Sequence, residues 1–454
     1  MKRNIIQLFA LLLIITSAIS CNEQKEATTE YPLFWTWLDY RPGMNLDSIC
    51  QVMNEVGLDG LILNAPTPDD YRVAIPIAHK YGIEVYAWLW TMNLEHDRDE
   101  IVKSNPELFS VNRNGESLAD HDAYVGYYKF LSPALPEARK LILDKIHAYC
   151  QVEGLNGIAI DYHRFVDVIL PTTLWPTYGI VQDKEYAEWD FGYHPEMIRL
   201  FEEKHGYDPR EQEDPSQDME WLQFRCDQIT EVANEIADVV HSYGKVMAAS
   251  PFPTPAMSRQ MVRQDWGNWN LDIVFPMVYH NFYTGDVSFI EDCTIDNVKQ
   301  KNPKTTLYCG MMSSEGPELF EGMDAALNNG AEGIAIFTMH SLRSPEARQQ
   351  FRAYTDSIRA QRASGIENPG ATGRTEPNID PFTKPVIMEG IHKRIKEFNE
   401  LDDTAQLDLG EYTLAEEYGA TKRYEVVEAN SNRTFDVTFY FYGGILSGWD
   451  VQPH

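Results

Sequence analysis

No Cys-x-x-Cys pair and no His-x-His pair occurs in the 454 residues. That absence disfavours a zinc site and a metal-dependent hydrolase, and His163 and His280 stand too isolated to read as metal ligands. Cysteine itself is scarce: beyond Cys21 there are residues 50, 150, 226, 293 and 309. An odd, scattered set is no disulfide framework, and Cys50, Cys150 and Cys309, in apolar contexts, read as small core residues. Positive charge is short as well. Lys and Arg number 38 against 69 Asp and Glu, a formal net charge of −31. Such a field disfavours nucleic acid and other polyanions as partners. Past the N-terminus, no run is long and apolar enough to span a bilayer. Neither a metal nor a cofactor is expected.

What is present begins with a leader. Met1-Lys2-Arg3 and the apolar stretch 5–19 read as a signal peptide over residues 1–20. Ser17-Ala18-Ile19-Ser20-Cys21 has the form of a bacterial lipobox, in which Cys21 becomes lipidated and N-terminal. Residues 21–31 would then be a polar tether. The expected location is a membrane-anchored lipoprotein in the periplasm or at the cell surface, on the outer membrane.

With 43% apolar and 12% aromatic residues, the chain can bury a full-sized core plus an appendage. Helical spacing and short apolar strands alternate from residue 32 onward, with repeated Gly stops between them, as at Gly57 and Gly82. Strands are predicted at 32–39, 61–64, 84–90, up to 161, 245–250, 271–279, 306–312 and 333–338, with a closing helix at 346–362. That alternation predicts a (β/α)₈ barrel over residues 32–362. Insertions at 94–133 and 166–215 fall after barrel strands, hence on the catalytic face. Aromatics in the second, Trp175, Tyr178, Tyr186, Trp189 and Phe191, fit either a small core or a sugar platform. Residues 363–384, rich in Gly, Pro, Asn and Thr, read as a linker that few contacts cross. Residues 385–454 form a small α+β or β-rich module with no catalytic motif, comprising a helix near 388–401 and strands at 423–427 and 435–442.

The segment Gly157-Ile-Ala-Ile-Asp161-Tyr162-His163-Arg164-Phe165 ends an apolar strand in a carboxylate among aromatic and polar side chains. A strand-end Asp can simply cap the next helix. Among aromatics at a barrel's C-terminal face it points instead to sugar chemistry, which needs two carboxyl groups. Asp161 and Glu315, after the fourth and seventh strands, are the expected catalytic pair, facing each other over the mouth. Asp39 is a third carboxylate on that face. Trp37, Trp90 and Tyr128 are candidate sugar platforms, with Tyr124, Tyr127 and Phe130 lining the cleft. Asn64, Asn93, Tyr162, His163, Arg164, Tyr279, His280 and Asn281 are candidate polar contacts. Whether the faces of Trp35 and Trp37, and of Trp88 and Trp90, point into the barrel or toward the helices stays open at this level.

Several stretches together resemble the family 10 glycosylhydrolase-like proteins. They are Phe34-Trp35-Thr36-Trp37, Gly57-Leu58-Asp59-Gly60, Ala87-Trp88-Leu89-Trp90-Thr91-Met92-Asn93 and Tyr127-Tyr128-Lys129-Phe130-Leu131-Ser132-Pro133. Residues 157–164, Asp167-Val168-Ile169-Leu170-Pro171, Val262-Arg263-Gln264-Asp265-Trp266 and 275–283 match as well. The resemblance spans roughly 32–350 and implies a (β/α)₈ barrel degrading a poly- or oligosaccharide at the cell surface. Members often carry a Cys cluster where this chain has Gly192-Tyr193-His194. The resemblance to α-glycosidase barrels, which place a nucleophile at the end of the fourth strand, implies that role for Asp161. The alternative is a non-catalytic glycan-binding lipoprotein on the same scaffold.

Overall fold

Strand β1 (Phe34–Asp39) is followed by α1 (Leu46–Val56), β2 (Gly60–Asn64), α2 (Pro68–Lys80) and β3 (Glu84–Trp90). Local chemistry sets these boundaries. Asn45 Oδ1 accepts the Ser48 N–H at 3.1 Å to open α1, and Gly57, at φ 81°, closes it in the left-handed region. A Thr67–Asp70 capping box opens α2. The chain continues through α3 (Arg98–Ser104), α4 (Pro136–Cys150), β4 (Gly157–Asp161), α5 (Trp175–Tyr178), α6 (Pro195–His205) and α7 (Met219–Ser242). Then come β5 (Val246–Ala249), α8 (Pro255–Val262), β6 (Ile273–Val274), α9 (Ser288–Gln300), β7 (Thr306–Met312), α10 (Pro317–Leu327), β8 (Gly333–Phe337) and α11 (Pro345–Ala363). All eight strands pair in parallel in chain order, and β8 returns to β1 to close a (β/α)₈ barrel.

This computed structural model describes residues 31–95, 98–365 and 373–454. The expected signal peptide, the lipidation site Cys21, nearly all of the tether and residues 366–372 of the linker lie outside the described residues. Among the described residues no helix is long and apolar enough to cross a membrane.

Glycines at strand starts make the barrel's interior. Trp35 stands in register with Gly60, where a Cβ would lie 2.1 Å from the indole. Gly157 and Gly333 leave similar room for Tyr86 and Tyr308. The resulting lower layer of Trp35, Tyr86, Phe275 and Tyr308 has ring centroids 4.4–5.5 Å apart. Trp35 and Trp37 therefore both point inward. A second layer, Trp37, Trp88, Tyr279 and Phe337, gathers around Phe337 at 5.7–6.2 Å and forms the floor of the C-terminal mouth.

The sixth strand is two residues long, not the nine of 271–279, and Pro276, which has no N–H to give the ladder, interrupts its C-terminal continuation. The C-terminal module holds α12 (Pro385–Phe398) and a four-stranded antiparallel sheet: β9 (Thr413–Tyr418), β10 (Thr421–Glu428), β11 (Arg433–Tyr442) and β12 (Ile445–Pro453), in the order β12-β11-β10-β9. Ile387, Ile391 and Ile395, one turn apart, bury against Phe435, Val437 and Phe439.

The module is not loosely tethered, contrary to the reading of the linker. Tyr440, Tyr442 and Ile445 belong to the same buried cluster as the barrel core. The Gly443 N–H donates to Gln260 Oε1 at 2.8 Å, and a Cβ at Gly443 would lie 2.3 Å from the Met257 nitrogen. At the linker's end, Lys384 Nζ meets buried Asp292 on α9 at 2.7 Å, and Arg374 Nη2 meets it at 2.6 Å. Residues 33–454 form one unit.

Candidate active site

A cavity of about 530 Å³ opens at the C-terminal mouth of the barrel, within the range usual for small-molecule sites. Its floor is the Trp37, Trp88, Tyr279 and Phe337 layer. Its walls come from the two insertions, through Tyr124, Tyr127 and Tyr128 of the first and Leu170, Leu174 and Tyr178 of the second. Phe252, Phe282 and Tyr283 complete the ring, and Tyr127, Tyr178 and Phe282 remain exposed at the rim.

Two carboxyl groups face this apolar space. Asp161 ends β4, buried, with Trp88 Nε1–H donating to Oδ2 at 2.9 Å and the Tyr162 N–H donating to Oδ1 at 2.6 Å. Burial pushes its pKa up to about 6. The two N–H donors and the nearby Arg164 guanidinium pull the other way without prevailing. Asp167, as deeply buried, has different partners. Its Oδ2 accepts the Tyr124 and Tyr128 hydroxyls at 2.7 and 3.1 Å and pairs with Arg164 Nη1 at 3.1 Å. Arg164 is held by the faces of Tyr128, Phe130, Tyr162 and Phe252, 5.0–5.5 Å from the ring centroids. Burial raises the Tyr124, Tyr128 and Tyr162 phenols, and Tyr124 and Tyr128 donate to Asp167. Tyr162 itself has φ 48°, a conformation bulky residues rarely adopt. That turn carries its ring back onto Trp90, centroids 4.2 Å apart, with its hydroxyl 3.2 Å from that of Tyr127.

The structure brings Asp161, Trp37, Trp90, Tyr128, Tyr162, Arg164 and Tyr279 together around one cavity. It puts the other candidates elsewhere. Glu315 is exposed on the turn before α10, outside the lining, and β7 instead presents Met312 to the cavity. Gly316, at φ 71°, and Pro317 turn the chain away into the helix there. Asp39 is exposed and pairs with Arg41. Asn64 holds Glu95 Oε1 at 2.7 Å and the Trp88 carbonyl at 3.2 Å. Asn93 is fully buried, its Oδ1 accepting the Lys129 N–H, so it pins the first insertion. His163 points to α7, with Nε2 2.9 Å from the Ile229 carbonyl and Nδ1 2.8 Å from Thr91 Oγ1. Burial lowers its pKa to about 4, so it is a neutral bracket. His280 is buried against Glu318 at 2.8 Å, and Asn281 is exposed beyond the lining.

Sequence reasoning missed Asp167 as a site residue. Its signal was a carboxylate three positions after Arg164 in a stretch of aromatics. Phe337, a strand-end aromatic on β8, was missed too. The aromatics of the second insertion divide: Tyr178 lines the cavity, Phe191 is core, and Trp175 leans edge-on against Tyr440 at 5.6 Å.

The class defined so far is a (β/α)₈ barrel with an aromatic-walled cavity and two unlike carboxyl groups at its C-terminal mouth. No family model and no curated protein matches the chain. Solved structures that it resembles include a GH30 endoxylanase from Clostridium papyrosolvens C71, at 11% identity over 91% of this chain and 82% of that one, with a TM-score of 0.37. The flavin-binding domain of baker's yeast flavocytochrome b2 follows at 10% identity, 86% and 77% coverage and a TM-score of 0.36. A GH31 α-xylosidase from Xanthomonas citri matches at 9% identity, 71% and 35% coverage and a TM-score of 0.35. At such scores the likenesses carry no argument about chemistry.

Proposed function

We propose that the protein is a lipid-anchored glycoside hydrolase acting on a poly- or oligosaccharide, with Asp161 as proton donor and Asp167 as the charged partner. One observation carries the reading: a single aromatic-walled cavity holds two carboxyl groups whose surroundings differ in kind. Asp161 is buried against rings, with its pKa raised to about 6. Asp167 has its charge compensated by Arg164 and hydrogen-bonded by two phenols. A carboxyl group whose proton is favoured by burial, near a carboxylate paired with a cation, is the division of labour that glycoside hydrolysis uses. Aromatic faces receive the sugar's C–H surface, and the phenols and Arg164 address its hydroxyls. Protonation of the departing oxygen by Asp161 weakens the glycosidic bond. Asp167 then attacks the anomeric carbon or activates a water, according to the separation of the two groups when sugar is bound.

Kinetics separates the roles. Asp161→Asn is expected to lower kcat/KM by roughly 10²–10⁴ on glycosides with poor leaving groups while sparing those with activated aryl leaving groups. Wild-type kcat/KM is expected to fall as pH rises through about 6, because the proton is then lost. Equal loss on both substrate types, with activity rising through that pH, would make Asp161 the nucleophile or base and reverse the assignment. The binding-protein alternative draws on one feature, the commitment of Asp167 to Arg164. It is established instead if the wild-type protein binds glycans tightly and releases no reducing sugar.

A further inference from the structure

Residues 170–181 separate the barrel cavity from a second one. Leu170, Leu174 and Tyr178 face the first cavity, whereas Thr172, Trp175 and Val181 face a neighbouring groove of about 470 Å³. The far wall of that groove belongs to the C-terminal module, through Trp449 and Asp450 of β12, and Thr284 closes one side.

The fit of the module to this wall is built by two glycines. A Cβ at Gly448 would lie 2.8 Å from Thr172 Oγ1, so the strand approaches the insertion as closely as a bare backbone permits. A Cβ at Gly390 would lie 2.6 Å from the Trp449 indole, so α12 offers that ring a fixed seat. Trp449 is half-buried, and it and Asp450 both line the groove. An indole seated in a groove that also carries threonine hydroxyls and a carboxyl group is the lining a neutral sugar needs, with an apolar surface and a few polar groups. The net charge of −31 disfavours a polyanionic occupant.

We propose that this groove is a carbohydrate subsite, in which the module's Trp449 holds a distal part of the chain whose reacting unit lies in the barrel cavity. The substrate is therefore a neutral glycan several units long. The proposal rests on the hydrolase reading of the barrel cavity, and its test separates the two.

Full-length wild-type, Trp449→Ala and Val181→Arg proteins are titrated calorimetrically with cello-, xylo-, malto- and manno-oligosaccharides of two and six units. Reducing-sugar release is followed in parallel. Val181 is 59% exposed on the barrel side of the groove, so Val181→Arg blocks it without touching the module core that Trp449→Ala disturbs. For the series that binds, the hexamer should bind wild type about tenfold or more tighter than the dimer. Both variants should lose that advantage, while dimer affinity shifts less than twofold. Hexamer affinity unchanged in Val181→Arg overturns the subsite and leaves the hydrolase reading intact. Tight hexamer binding lost in both variants, with no sugar released by wild type, upholds the subsite and removes the hydrolase. A wild-type protein that binds no member of the panel at millimolar concentration overturns both.

Discussion

Asp161 is caught between two demands, and stability should register the conflict. Burial raises its pKa from 3.8 to about 6, so the native state holds the proton more tightly than the unfolded chain does. Folding stability therefore falls as pH rises from about 4 to about 6 and stays reduced above, by roughly 3 kcal/mol at about 1.4 kcal/mol per unit. Asp161→Asn removes that burden. One of the two N–H donors, Trp88 Nε1 or the Tyr162 amide, would then face an amide NH₂, a loss of about 1 kcal/mol. The variant should be more stable than wild type by about 2 kcal/mol above pH 6 and no more stable at pH 4. Denaturant titrations at pH 4 and pH 7.5 check this. A gain of the same size at both pH values would place its origin outside the ionisation of Asp161. How a residue's environment decides its role also explains what the sequence could and could not say about the site. Asp161 was legible because a strand pattern ran directly into it. Asp167 was not, since its position in the cavity depends on Arg164 and two tyrosines from another insertion.

Barrel elements were readable where each strand carried an apolar run between a Gly and a polar residue. The β3 and β7 ranges match those read from periodicity. The module's strands were half hidden. Every residue of β9 is exposed, so no alternation marks it, and β12 carries Gly448, Asp450 and Pro453 within an otherwise strand-like run. Composition also misled about residues 363–384, because Gly and Pro signal a turn-rich path and say nothing of what its charged residues meet. Asp292 collects Arg374, Lys384 and the Asn378 N–H in a buried knot that fastens the linker to α9. Truncation after residue 375 removes Lys384, leaves Asp292 short of a partner and exposes the faces that covered Tyr440, Tyr442 and Ile445. The shortened chain should aggregate or melt well below the full-length protein. Size-exclusion chromatography and thermal melts decide it: a monomer melting within a few degrees of the full chain would show the module to be an independent satellite.

At the scale of the whole molecule, the charge balance and the leader make a joint statement about the membrane. On the lipoprotein reading, removal of Lys2 and Arg3 with residues 1–20 would leave a mature chain still more acidic than −31. Anionic lipid surfaces attract basic segments and repel acidic ones, so the net charge disfavours an electrostatic hold on a bilayer. Among the described residues no helix spans one either. Membrane association, on the lipoprotein reading, must then come from acyl chains at Cys21, whose hydrophobic insertion does not depend on ionic strength. Two outcomes follow together. Wild-type protein should stay in the membrane fraction through a high-salt wash, and Cys21→Ser should appear in the soluble extracytoplasmic fraction at low and high salt alike. A Cys21→Ser protein retained to the wild-type extent would remove the lipid anchor. Release of the wild type by salt alone would point instead to a charged partner on the membrane.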